Sequence, residues 1–332
     1  MTSNSVDLSS RWKAALSQSL RSTQALLDHL QLTPDQLPPL VKSPRFRVLV
    51  PESFLHRMEP QNPFDPLLMQ VLPFAAELQS AEGFSIDAVG DSLARKTTGL
   101  IHKYQGRVLL MLSGNCAINC RYCFRQHYPY SEEPKSLAQW EPALQAIQAD
   151  PSIHEVIFSG GDPLLQSTRR LAELTDRLAN ISHIQRLRIH SRLPIVLPSR
   201  IDEEFLDWME SIPLTTALVL HSNHAQELQA DCADAIEKLA SMKLHLLNQS
   251  VLLKGINDDE QTMQQLCERL IELGVQPYYT HQLDRVLGTA HFEVPISRGL
   301  EIHEYLRAHL PGYAIPRYVQ EIQGEASKTV LY

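Results

Sequence analysis

Apolar residues recur at helical spacing from Trp12 through Leu16, Leu20, Leu27 and Leu30, which predicts one amphipathic helix ending before the proline-rich stretch 37–40. From Val41 to about Thr98 prolines are frequent and no period is sustained, so this stretch reads as an irregular, partly helical layer. The pattern changes at Arg107. Short apolar strands at 107–112, 155–158, 186–189, 216–220, part of 244–253 and 277–282 alternate with helical segments near 137–148, 168–178, 202–209, 225–240 and 259–273. Strand-then-helix units in series predict a parallel sheet closed or partly closed as an α/β barrel.

Barrels of this kind carry their chemistry on loops at the carboxyl ends of the strands. Ser113-Gly114-Asn115-Cys116 follows the first strand and Ser159-Gly160-Gly161-Asp162-Pro163 the second. His221-Ser222-Asn223-His224 follows the fourth, and Asp284 lies just past the last. Four polar clusters on one predicted rim make that rim the candidate active face.

Composition narrows the function classes. The 332 residues carry 30 Lys and Arg against 38 Asp and Glu, a net charge of −8, so the basic excess that binds a phosphate backbone is missing and nucleic acid is disfavoured. No apolar run approaches the roughly 18 residues of a membrane span, and residues 1–31 show no charged-then-apolar leader, so a soluble, cytoplasmic protein is expected. Of five cysteines, Cys232 and Cys267 stand alone on predicted helices and read as small buried hydrophobes.

Cys116, Cys120 and Cys123 crowd into eight residues immediately after a strand. In a reducing compartment such a cluster means metal or redox chemistry. His127 could complete a structural zinc site, but no second ligand pair at matching spacing accompanies it. A four-iron cluster explains a count of three differently, because one iron keeps an open position for a small molecule.

Cys116-Ala-Ile-Asn-Cys120-Arg-Tyr-Cys123 resembles the signature of the radical S-adenosylmethionine (SAM) enzymes. The resemblance implies a 4Fe-4S cluster on these cysteines that binds SAM, with Gly160, Gly161 and Asp162 in the glycine-rich element that contacts it. The wider surroundings resemble the lysine 2,3-aminomutase family over nearly the whole chain. The likeness is carried by His102-Lys103-Tyr104-Gln105-Gly106-Arg107-Val108, Arg121-Tyr122-Cys123-Phe124-Arg125, Asn248-Gln249-Ser250-Val251-Leu252-Leu253, His281-Gln282-Leu283-Asp284 and the tail Glu321-Ile322-Gln323-Gly324-Glu325-Ala326-Ser327-Lys328. It implies a partial (β/α)6-type radical SAM barrel over 101–290, an N-terminal helical layer over 1–100, and a C-terminal segment over 291–332 that closes the barrel and binds pyridoxal 5′-phosphate (PLP).

Several roles follow from that resemblance alone. Lys328 is implied as the Schiff-base lysine of PLP, with Tyr104, Arg107 and Lys103 toward its phosphate. The family's phosphate-side tyrosine is replaced here by His281. Arg125 is implied to bind the α-carboxylate of L-lysine, and Asp284 and Glu321 its distal ammonium, Glu321 standing where the clostridial-type enzyme has an aspartate. The chain ends soon after the lysine loop, a short form similar to bacterial aminomutase-like proteins that make (R)-β-lysine for modification of translation elongation factor P. A functional link to the enzyme that lysylates that factor is thereby implied, and the resemblance leaves room for a homo-oligomer. Two other classes compete: a radical enzyme for another amino acid, which the two acids argue against, and a non-enzymatic zinc or iron module.

Overall fold

The computed structural model describes residues 9–42, 44 and 46–332. One ten-stranded sheet runs in the order β1 to β10. The strands are β1 (Arg95–Thr97), β2 (Leu100–Tyr104), β3 (Arg107–Ser113), β4 (Glu155–Gly160), β5 (Arg186–Ser191), β6 (Thr215–Leu220), β7 (His245–Val251), β8 (Gln276–His281), β9 (Arg317–Gln320) and β10 (Thr329–Val330). β3 to β9 pair in parallel, so their carboxyl ends share one rim. β1–β2–β3 at one edge and β9–β10 at the other are antiparallel.

The six predicted strands are β3 to β8. Predicted and observed helices also coincide, as α3 (Glu141–Ala149), α4 (Thr168–Ala179), α5 (Glu203–Ser211), α6 (Asp231–Ala240) and α7 (Glu260–Glu272). Ser167, Asp202 and Asp259 cap α4, α5 and α7 by accepting bonds from backbone N–H groups of the first turn. The single N-terminal helix expected from Trp12 to Leu30 is instead two, α1 (Ser9–Ser17) and α2 (Thr23–Leu30). Between them Leu20 exchanges backbone hydrogen bonds with Val50, and the Ser22 hydroxyl restarts the helix by accepting from Ala25 N–H. The β2–β3 hairpin, β9, β10 and α8 (Ile296–His309) were not expected.

Strand alternation divides the sheet into two faces. Val108, Leu110 and Leu112 of β3, Val156 and Phe158 of β4, Leu187 and Ile189 of β5, and Leu218 and Leu220 of β6 join the main apolar core. Each such leucine contributes about 1.5–3 kcal/mol by leaving water. Alternate positions face the concave side: Arg107 and Met111, Glu155, Ile157 and Ser159, Arg188 and His190, and Val219. Cohesion resides on the outer face, which leaves the lumen free to be polar.

No ladder joins β1 to β10 among the described residues. The two ends of the sheet nevertheless meet, because Lys103 of β2 is ion-paired with Glu321 just past β9 at 3.1 Å. Gly90 lies so close to Gln323 that a Cβ there would stand 2.8 Å from Gln323 Cγ. The seam of the partial barrel is thus bridged by charges.

Candidate active site

The cysteine loop leaves β3 at Ser113 and is held from two sides. On the N-terminal layer, Asn119 N–H donates to Leu49 O and Arg121 N–H to Gln70 O. On the barrel, Gly161 N–H donates to Ser113 O at 2.7 Å and Asp162 N–H to Asn115 O at 2.8 Å. These contacts explain the glycines. A Cβ at Gly160 would stand 2.5 Å from Ser113 O, and one at Gly161 2.3 Å from Asn115 O. What the pair admits most directly is therefore the cysteine loop's own backbone, where the sequence suggested approach to a ligand.

Asp162 is likewise spoken for. Its carboxylate accepts from Leu164 N–H, Ser191 Oγ, Arg192 N–H and Leu193 N–H, which uses all four acceptor positions. Burial nevertheless raises it to about 6. It braces the ends of β4 and β5, so any part in cofactor binding is exerted through the loop it holds.

The three thiols lie half-buried on this loop. Burial pushes Cys116 well above its ordinary range and Cys123 to about 11, and in each case neighbouring cysteines add to the rise. Cys116 and Cys123, together with the neighbouring Cys120, form a sulfur donor set suited to a polycationic centre. A counter-charge is present: Arg192 Nη1 donates to Cys120 Sγ at 2.6 Å, while Nη2 donates to Gln70 Oε1 and Glu227 Oε2. The set fits an iron–sulfur cluster. His127 Nε2 lies 3.1 Å from Leu287 O, so that ring is engaged away from the thiols. The polar run after β6 ties into the same loop, since Asn223 Nδ2 donates to the Tyr122 hydroxyl at 2.7 Å.

A second cluster of charges crosses the seam. Arg125 Nε donates to Asp91 Oδ2 at 2.6 Å and Nη1 to Ser159 Oγ at 2.9 Å. Asp91 Oδ1 is 2.6 Å from Lys103 Nζ. Lys103 also donates to Val89 O at 2.8 Å and to Glu321 Oε1 at 3.1 Å, so it is engaged across the seam, and the phosphate contact expected of it competes with these partners. The other oxygen of Glu321 accepts from Lys328 Nζ. Hairpin register explains that last pair: Thr329 lies opposite Gln320, which sets Lys328 against Glu321. Arg125, Asp91, Lys103, Glu321 and Lys328 thus form one alternating chain of charge.

Within that chain burial opposes the charge on Glu321, but Lys328 and Lys103 outweigh it and draw the carboxyl down to about 2. Asp284 behaves in the opposite way. Among the described residues its carboxylate makes no hydrogen bond or ion pair, and burial raises it to about 7 despite nearby Lys328. Of the two acids expected to meet a substrate ammonium, Asp284 is therefore open, whereas Glu321 already carries two lysines.

The lumen supplies further unspent groups. Arg107 stacks on Tyr104 at 4.8 Å and has no hydrogen-bond or ion-pair partner among the described residues. Burial, reinforced by the charge of Glu321, raises the Tyr104 phenol. Buried Nε2 atoms of His190 and His281 have no partner, and burial holds both imidazoles well below their ordinary range. The sequence reading missed Asp91 and Arg192. Neither sits in a periodic or motif-like context, and only the fold brings them to the site.

The Radical SAM superfamily profile matches residues 110–267, from within β3 to within α7. Similarity to curated proteins extends further. The L-lysine 2,3-aminomutase of Haemophilus influenzae is 42% identical over 96% of this chain and 95% of its own length. The L-lysine 2,3-aminomutase of Escherichia coli is 46% identical over 86% of this chain and 83% of its length, and that of Clostridium subterminale 33% over 96% and 77%. With the cysteine loop at the carboxyl end of the first parallel strand and relatives aligned from the N-terminal layer to the tail, the chain belongs to the L-lysine 2,3-aminomutase family of radical SAM enzymes.

Proposed function

We propose that the protein is a PLP-dependent radical SAM isomerase that moves the amino group of L-lysine from Cα to Cβ, giving (R)-β-lysine. The observation that carries this reading is the open carboxylate of Asp284 beside Lys328 in the barrel whose rim bears the three cysteines. When bound, the cluster and SAM supply hydrogen-atom abstraction, and PLP supplies the π-system across which nitrogen shifts.

The chain's own part is placement and exclusion. Cys116, Cys120 and Cys123 would hold the cluster, and the guanidinium of Arg192 beside Cys120 would offset negative charge there. Lys328, whose Nζ meets Glu321, would anchor PLP covalently. Unspent donors on Arg107, with Tyr104, His190 and His281, suit an anionic ring-and-phosphate ligand. Arg125 keeps Nη2 for the α-carboxylate of the substrate. Asp284 takes the distal ammonium and Glu321 supports it, because a closed site penalises either charge left unpaired. Met111, Ile157 and Val219 line the lumen with apolar surface that keeps water from a reactive carbon centre.

The family resemblance supports a destination for the product, namely modification of elongation factor P in the cytoplasm. Among the described residues no helix is long and apolar enough to cross a membrane. Anaerobic incubation with dithionite, SAM and L-lysine, followed by chiral chromatography, tests the activity. Iron-loaded protein yielding (R)-β-lysine is the expected result; colourless protein holding one zinc and giving no product would overturn it.

A further inference from the structure

Asp91 joins the residues that, on the reading above, hold opposite ends of the substrate. Its Oδ2 accepts from Arg125 Nε at 2.6 Å, and its Oδ1 lies 2.6 Å from Lys103, whose ammonium continues to Glu321 at 3.1 Å. One carboxylate from the N-terminal layer thereby ties the carboxylate anchor to an ammonium anchor. We propose that Asp91 and Lys103 act as a chain-length ruler, fixing the separation of Arg125 and Glu321 so that the site favours a diamino acid with four methylenes over one with three.

The ruler is built to be stiff. Asp91 is 1% exposed. Its backbone N–H and that of Ser92 both donate to the Asp87 carboxylate, at 2.9 Å each. Gly90 has φ +69 and packs against Gln323, and Lys103 donates to Val89 O, so the turn at 87–92 is fastened both to β2 and to the tail. An aspartate that only stabilised the fold would need no partner on the substrate side. This one holds Nε of Arg125, whose Nη2 makes no hydrogen bond among the described residues. Recognition at both ends is also where length matters most, because a substrate one methylene short can satisfy one charged anchor but not the second, and a methylene is commonly worth 10-fold or more.

Since the inference rests on L-lysine as substrate, its test must separate the two ideas. Equilibrium dialysis of L-lysine and L-ornithine against the holoenzyme should show the wild type favouring lysine by about 10-fold or more. Asp91→Asn and Lys103→Met should each reduce that preference to about 2-fold, whereas Asp91→Glu, which keeps the charge, should retain more of it. Iron content, PLP content and melting temperature identify a variant that has simply misfolded; if Asp91→Asn is one, Lys103→Met carries the test. Loss of affinity for both amino acids by the same factor in the folded variants would overturn the ruler while leaving the substrate assignment standing. A wild type with no preference for lysine would overturn both, and that is visible before any variant is made.

Discussion

The cysteine loop and the ionic seam are assembled in opposite ways. Cys116, Cys120 and Cys123 come from one turn of loop after one strand, and the groups that fix them are mostly backbone: Ser113 O, Asn115 O, Leu49 O and Gln70 O. The seam draws Asp91, Lys103, Arg125, Glu321 and Lys328 from the length of the chain and holds them through side chains, with the unpaired Asp284 beside them. A backbone-held site depends on its own short sequence and on glycines that let two loops touch. A side-chain-held site depends on the whole fold, and its members set one another's charge. The two regions should accordingly fail in different ways when cut.

The largest effect is expected at the loop. Cys120→Ala should remove most of the iron and abolish SAM cleavage, since two thiolates cannot retain a cluster with one open iron. Lys328 should still form its borohydride-reducible link to PLP in that variant. Iron analysis and pyridoxyl-peptide mass spectrometry measure both; full SAM cleavage by Cys120→Ala would break the assignment of the loop.

Cutting the other region should give the mirror image. Lys328→Ala should keep iron and slow SAM cleavage but lose the covalent PLP link. Parallel loss of iron and PLP would mean that the tail, far from the cysteines in sequence, is needed for folding as a whole, and the two regions would then not be separable. Within the seam, Asp284→Ala should weaken lysine binding by about 10-fold to 100-fold, as expected when a buried ammonium loses its partner. A norleucine analogue, which has no such ammonium, should lose much less. Equal losses would assign Asp284 a structural part.

The same contrast explains what the sequence could disclose. β3 to β8 and α3 to α7 were legible because six apolar strands alternate with five amphipathic helices, and a thiol triad in eight residues needs no tertiary information. The β2–β3 hairpin had a usable signal, the Gln105-Gly106 turn between two apolar runs, with Gly106 at φ +77. β9 and β10 had none, being only four and two residues long. Roles in the seam came from family resemblance, and that route named Glu321 without revealing that two lysines already occupy it. Asp91 escaped because an acid in an aperiodic segment looks like surface until the fold buries it beneath Arg125.

The smallest predicted effect bears on the openness of Asp284 compared with the paired state of Glu321. Glu321 at about 2 stays ionised throughout the working range, so pH should reach substrate binding through Asp284, raised by burial to about 7. Lysine affinity should increase as pH rises through 7 and level off above it, since the anion is the form that meets the ammonium. Asp284→Asn should flatten that profile. Stability should run the other way. A carboxyl whose folded pKa lies above its unfolded value of 3.8 keeps its proton longer in the native state, so its contribution falls as pH rises from 3.8 towards 7. The melting temperature of Asp284→Asn should therefore gain on that of the wild type between pH 5 and pH 7 and hold the difference beyond. A gain of Asp284→Asn over the wild type in melting temperature as pH rises, together with a flat wild-type binding profile, would keep Asp284 buried and unpaired yet remove it from the substrate. A constant difference in melting temperature would show instead that the carboxylate has a partner in solution, and the contrast with Glu321 would disappear.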